Sequence, residues 1–141
     1  GTVHISSSDP QAPPAIAFNF LSTPPDAEVA VRAIRIVRSI MSAPTMQALG
    51  TTELAPGATR QSDGEILQWV RAAGETTYHP VGTCKMGQDN MSVVDEHLRV
   101  RGLAGLRVAD ASIMPTLISG NTNAPSIMIG EKASDLILGQ R

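Results

Sequence analysis

The 141 residues contain one cysteine, Cys84, which excludes an internal disulfide and any paired-cysteine metal or redox motif. Aromatic residues are scarce at 3%, so any core is aliphatic and modest. Neither sign of charge dominates, with 11 basic and 13 acidic residues and a net charge of -2. Without a basic excess the chain lacks the electrostatic grip that binding to phosphate backbones requires, and no nucleic acid is expected as a partner. No apolar run reaches the roughly 20 residues that cross a bilayer. Membrane association is therefore not indicated, and a cytoplasmic location is expected. An initiator methionine and a signal peptide are also missing, because Gly1-Thr-Val-His4 opens straight into an alternating strand. That opening suggests a piece of something longer. The length itself matches one ordinary domain.

What is present is a mixed α/β (α+β) pattern. Val3-His-Ile-Ser6 alternates apolar and polar residues, as a half-buried strand does. The cluster from Ser6 through Pro14 breaks it, and Ala15 to Leu21 resumes an extended segment with Ile16, Phe18 and Phe20 on one face. Asp26 is a good N-terminal residue for a helix to about Ser42. Val29, Ala33, Ile36, Val37 and Ile40 make a buried stripe along it, while Arg32, Arg35 and Arg38 form a solvated face. Residues 44–61 read as a loop with a short turn around Met46 to Leu49. Ser62-Asp-Gly-Glu65 is a capping box that opens a second helix, and Gly74 falls where a left-handed C-cap would sit. From Thr76 the texture changes to short strands, at residues 93–94, 97–100 and 106–109. A last helix begins near Pro125 and runs through Leu138.

Of the three histidines, His4 and His97 read as surface or structural residues. His79 lies in Tyr78-His-Pro-Val-Gly-Thr-Cys-Lys-Met-Gly87, a turn-rich loop of the kind that carries catalytic groups on a scaffold. A structural role for it stays open on these local grounds. A metal site with Cys84 finds no third or fourth ligand nearby, so no metal is expected. A thiol nucleophile is no better supported, and Cys84 reads as a small buried hydrophobe. A strand ending at Asp110 would place a carboxylate at a carboxyl edge, where open α/β sheets bind cofactors. The start of the last helix leaves free N–H groups beside Asn121 and Asn123. Such an end favours an electron-rich group, although either asparagine can equally serve as the helix cap.

These segments, in this order, resemble the C-terminal part of a glucose–methanol–choline (GMC) flavoprotein oxidoreductase, with a texture nearest the choline-dehydrogenase-like alcohol dehydrogenases. The motifs that carry the resemblance are Tyr78 to Gly87, Val94-Asp95, Leu98 to Gly102, Gly105 to Pro115 and Gly120-Asn-Thr-Asn-Ala-Pro125, together with Ser8-Asp-Pro10 and Asn19-Phe-Leu-Ser22. It covers nearly the whole chain. The resemblance implies a two-domain fold in which residues 1–75 belong to an antiparallel-sheet substrate domain. Residues 76–105 would hold the catalytic histidine loop and linking strands, and residues 106–141 the closing strand and helix of the FAD-binding domain. It further implies oxidation of a small alcohol, with His79 accepting the hydroxyl proton, Asn121 holding the substrate oxygen, and hydride passing to the flavin. Asp110, Ala111, Asn121, Thr122 and Asn123 are implied as contacts of FAD.

One departure is large. The Gly-x-Gly-x-x-Gly fingerprint that seats a dinucleotide pyrophosphate is absent from the sequence. In the family it lies far upstream, so the chain is expected to be a C-terminal segment completed by an N-terminal FAD-binding portion. Two other readings remain at this stage: lyase chemistry on the same scaffold, and a non-catalytic binding module with His79 as a structural loop residue.

Overall fold

The computed structural model describes residues 1–139, which divide into two compact units, one from Val3 to Glu75 and one from Thr76 onward. In the first, strands β1 (Thr2–His4) and β2 (Ala15–Ala17) pair into a two-stranded sheet. Both strands are shorter than the alternation predicts. Asn19 and Leu21 adopt φ of 51° and 55°, which takes the chain out of extended geometry after Ala17. The rings of Phe18 and Phe20 then stack with centroids 5.0 Å apart.

Helix α1 spans Pro24–Met41. Its N-cap is Thr23 rather than Asp26: the Thr23 hydroxyl accepts from the Asp26 amide at 3.4 Å, and the two prolines occupy the first turn. Proline is suited there, since its missing N–H has no intrahelical partner to lose. Asp26 instead places its charge in the first turn, where the helix dipole favours it. A short helix, α2 (Pro44–Gln47), precedes α3 (Asp63–Ala73). The Ser62–Glu65 capping box forms as expected, with Ser62 N–H donating to the Glu65 carboxylate at 2.9 Å and Glu65 N–H to the Ser62 hydroxyl at 3.3 Å.

The α1–α3 contact buries a different face from the one that the apolar spacing selects. Val31 and Ile66 are enclosed, whereas Val29, Ile36, Val37 and Ile40 keep half or more of their surface exposed. Arg32 and Arg35 are exposed, as a solvated face requires, while Arg38 is half-buried. Arg35 donates to the Asp63 carboxylate and to the Gln61 carbonyl, and Arg38 grips Glu53 through Nε and Nη2. This ion pair holds the Glu53 carboxyl below its ordinary pKa and ties the loop after α2 to α1. A cavity of about 660 Å³ lies in this unit, lined by Ile34, Arg38, Met41, Thr51, Pro56 and Gln61 among others. At the end of α3, Gly74 has φ of -70°, so it is extended, not left-handed. Glycine is required there for another reason: a Cβ would meet the Val70 carbonyl oxygen at 2.5 Å.

The second unit is built on Val94, Leu98, Ile113, Met114, Ile129 and Ala133, all buried. The segments read as strands meet only as isolated bridges, Met86 with Val94, Val94 with Val100 and Arg99 with Arg107. Turns at Gly102 and Gly105, both with positive φ, follow too closely for longer ladders. A 3-10 turn, Ala111–Ile113, packs against helix α4 (Asn123–Leu138). Residues 76–105 and the segment after them thus share one core. Among the described residues no helix is long and apolar enough to cross a membrane.

Asp95 sets the turn that brings these bridges together. Its Oδ1 accepts from the amides of His97 (2.9 Å) and Arg99 (3.0 Å), and Oδ2 accepts from Arg99 Nε at 2.8 Å. Chiefly through the Arg99 guanidinium, its pKa falls from 3.8 to about 2. A carboxyl whose folded pKa is lowered contributes stability above its unfolded pKa and loses it as pH falls through the folded one. The thermal midpoint of the second unit should therefore drop between pH 4 and pH 2, and Asp95→Asn should flatten that limb. Parallel acid limbs for the two proteins would refute the role.

Candidate active site

The His79 loop is shaped by local backbone chemistry. Tyr78 takes a φ of 60°, a left-handed conformation that costs energy for a residue with a large side chain. The Thr76 hydroxyl steadies it by accepting the Tyr78 amide at 3.1 Å. Past His79, Gly82 also turns left-handed, with φ of 84°, and a Cβ there would approach the Met114 carbonyl oxygen at 3.3 Å. The loop is then pinned to the 3-10 segment: Cys84 N–H donates to the Ser112 carbonyl at 2.9 Å and Met86 N–H to that of Ile113 at 2.8 Å. Cys84 is half-buried, less enclosed than its reading as a core hydrophobe implies.

His79 is half-buried, and its Nδ1 lies 2.8 Å from the Thr122 hydroxyl oxygen, in a hydrogen bond that joins residues 43 apart in sequence. Thr122 is buried and stands at the N-cap of α4, but its side chain caps nothing there. Its carbonyl oxygen accepts from the Ser126 amide at 3.0 Å and the Ser126 hydroxyl at 2.6 Å. Asn121 and Asn123 are both exposed, one on each side of Thr122. Neither caps the helix, so the capping role open to them in the sequence is not used. The α4 start therefore presents amides free of any side-chain cap, with the positive end of the helix dipole. Pro125 sits at the third helical position, so α4 begins two residues before the start that the sequence suggests.

Asp110 is not at the end of a strand. It is the N-cap of the 3-10 turn, and its Oδ1 accepts from the Ser112 amide at 2.7 Å. Asp110 is exposed and Ala111 is half-buried. The second unit thus brings His79 and Thr122 into direct contact beside the α4 start, and anchors Asp110 to its own turn. Sequence reading assigned Thr122 only toward a cofactor and missed its bond to His79, since no local signal marks a contact across 43 residues. Among the described residues no group of three or more His, Cys, Asp or Glu side chains is placed to hold a metal.

Comparison with known proteins gives one consistent result. A family model described as GMC oxidoreductase matches residues 1–130. The chain is 52% identical over 141 residues to the oxygen-dependent choline dehydrogenase of Klebsiella pneumoniae subsp. pneumoniae, covering 100% of this chain and 26% of that protein. It is 52% identical over 140 residues to the oxygen-dependent choline dehydrogenase of Escherichia coli (strain K12 / DH10B), covering 99% of the chain and 25% of that protein. Among solved structures, an FAD-dependent oxidoreductase from Chaetomium thermophilum matches with a TM-score of 0.92 and 36% identity, over 99% of this chain and 24% of that one. Pyridoxine 4-oxidase from Mesorbium loti matches with a TM-score of 0.87 and 33% identity, over 99% and 27% respectively. The chain spans about a quarter of the length of the curated relatives it matches, and corresponds to their C-terminal part.

Proposed function

The chain belongs to the GMC oxidoreductase family, and from that premise we propose that it supplies the proton-accepting and flavin-facing side of an FAD-dependent alcohol oxidation. Its partner is the upstream, N-terminal FAD-binding portion of the full-length enzyme. The observation that carries this reading is His79 held by its Nδ1 on Thr122 next to an uncapped helix start. With Nδ1 engaged, Nε2 is the ring atom available to a substrate hydroxyl. A neutral imidazole is the commonest general base for a proton of this kind. Asn121, exposed and next to Thr122 in the chain, would hold the substrate oxygen through its side-chain amide and orient the carbon that is oxidised.

The residues present fit FAD. The uncapped amides at the α4 start suit the electron-rich oxygen of a flavin pyrimidine ring, and Asn123 adds a polar side chain at the same end. Asp110 and Ala111 start the neighbouring turn and provide a second edge, with Thr122 contributing its backbone. Bound there, FAD would supply the two-electron acceptor that turns the alcohol into a carbonyl compound, and the part of this chain would be to take the hydroxyl proton at His79 Nε2. Stabilisation of developing negative charge by fixed amides is a large contribution in such sites.

The exposed apolar face of α1 supports the partner assignment. Ile36, Val37 and Ile40 each expose at least half their surface, and relatives carry about three-quarters of their length outside this region. We assign that face to contact with the upstream portion. The experiment for the reaction is spectroscopic: anaerobic addition of an alcohol to the full-length, FAD-loaded enzyme should bleach the flavin absorbance near its visible maximum. Choline and pyridoxine, from the names of the relatives, are the first alcohols to try. Bound flavin that no alcohol in a broad panel bleaches would overturn the redox reading in favour of lyase chemistry.

A further inference from the structure

Resting on the reading of His79 as proton acceptor, we propose that Thr122 is a positioning residue that holds the ring proton of neutral His79 on Nδ1, leaving Nε2 bare to take the substrate proton. A threonine at an N-cap normally turns its hydroxyl onto the amides of its own helix. Thr122 does not: no side-chain cap exists at α4, and the hydroxyl stands 2.8 Å from His79 Nδ1. The residue is only 9% exposed, so water does not compete freely for that hydroxyl. Its position is fixed independently by the Ser126 amide and hydroxyl, which both donate to its carbonyl. On the other side, the Tyr78 turn and the pinned amides of Cys84 and Met86 hold the loop. Both partners are therefore anchored by bonds other than the one they share.

The polarity of that bond decides whether the ring can work. A hydroxyl can donate or accept, and a neutral imidazole carries one proton on one of two nitrogens. If the Thr122 hydroxyl donated, Nδ1 would be an acceptor and Nε2 would already bear the proton. That tautomer cannot take another at Nε2. When Nδ1–H donates to Thr122 Oγ1, the Nε2 lone pair faces outward, and the same bond persists, charge-assisted, once the ring is protonated. The hydrogen bond made by one ring nitrogen is what sets the protonation of the other.

The test uses the full-length, FAD-loaded enzyme and the variants Thr122→Val, which keeps the shape without the hydroxyl, and Thr122→Ser, which restores the hydroxyl. We expect Thr122→Val to lower kcat about five- to tenfold, the size of one lost hydrogen bond, with KM changed less than about twofold. Thr122→Ser should recover most of the loss. A readout independent of turnover is the side-chain spectrum of 15N-histidine-labelled protein. His79 should carry its proton on Nδ1 in the natural protein and in Thr122→Ser, and shift towards Nε2–H in Thr122→Val. A proton on Nε2 in the natural protein, or no tautomer change in Thr122→Val, would overturn the proposal. So would a kcat loss that serine fails to rescue while the thermal midpoint is unchanged. Failure of the base reading looks different: His79→Gln would then leave turnover intact, whatever the tautomer spectra report.

Discussion

Replacing His79 with Gln in the full-length enzyme is expected to lower kcat for alcohol oxidation by about 10²–10⁴-fold, the usual worth of a positioned general base. Glutamine is polar and of similar reach, and its amide can still meet the Thr122 hydroxyl, but it cannot take a proton at neutral pH. The loop around it does not depend on the ring, since Tyr78, Gly82, Cys84 and Met86 are held through their backbones. Flavin content should therefore stay stoichiometric, because the residues assigned to FAD lie on the 3-10 turn and the α4 start. Flavin absorbance per protein, measured with the rate, separates the outcomes. Unchanged turnover removes His79 from the chemistry. Lost turnover together with lost flavin makes it a structural residue of the loop, the bland alternative that the sequence left open.

The elements that were legible in the sequence are those with a local cause. The Ser62–Glu65 box reads directly because both partners lie within one turn of each other, and α4 reads because apolar residues recur until Gly139 ends it with a left-handed φ of 69°. The family was legible for a different reason: several rigid motifs follow one another in fixed order, each with glycines and prolines that few other folds require. What could not be read were relations between distant segments. The strands after Thr76 are single bridges because their neighbours are turns, and alternation over two to four residues cannot distinguish a bridge from a ladder. The helix cap moved from Asp26 to Thr23 because Pro24 and Pro25 tolerate the first turn as readily as they end a strand. The His79–Thr122 bond belongs to the same class, as it exists only once α4 and the loop have packed on a common core.

The apolar stripe of α1 that the spacing marks as buried is exposed in this chain, and it leads to the second large expected effect. The helix carries two apolar edges. One, through Ala27, Val31 and Ile34, turns towards α3, where Val31 and Ile66 are enclosed. The other, through Val29, Ile36, Val37 and Ile40, is open in this chain. An amphipathic helix that is apolar on both edges is built to be covered on both. If the upstream portion of the full-length enzyme covers the second edge, Ile36→Asp there places an unpaired charge in an apolar contact. It should cost several kcal/mol or prevent folding outright. Ile36→Val, which deletes one methylene, should cost about 0.5–1.5 kcal/mol. That graded pair is the signature of a buried position, because a solvated one tolerates both within about 0.5 kcal/mol. Denaturation midpoints of the three full-length proteins decide the matter. Equal midpoints would mean that the second edge stays in water and that the upstream portion contacts this chain elsewhere.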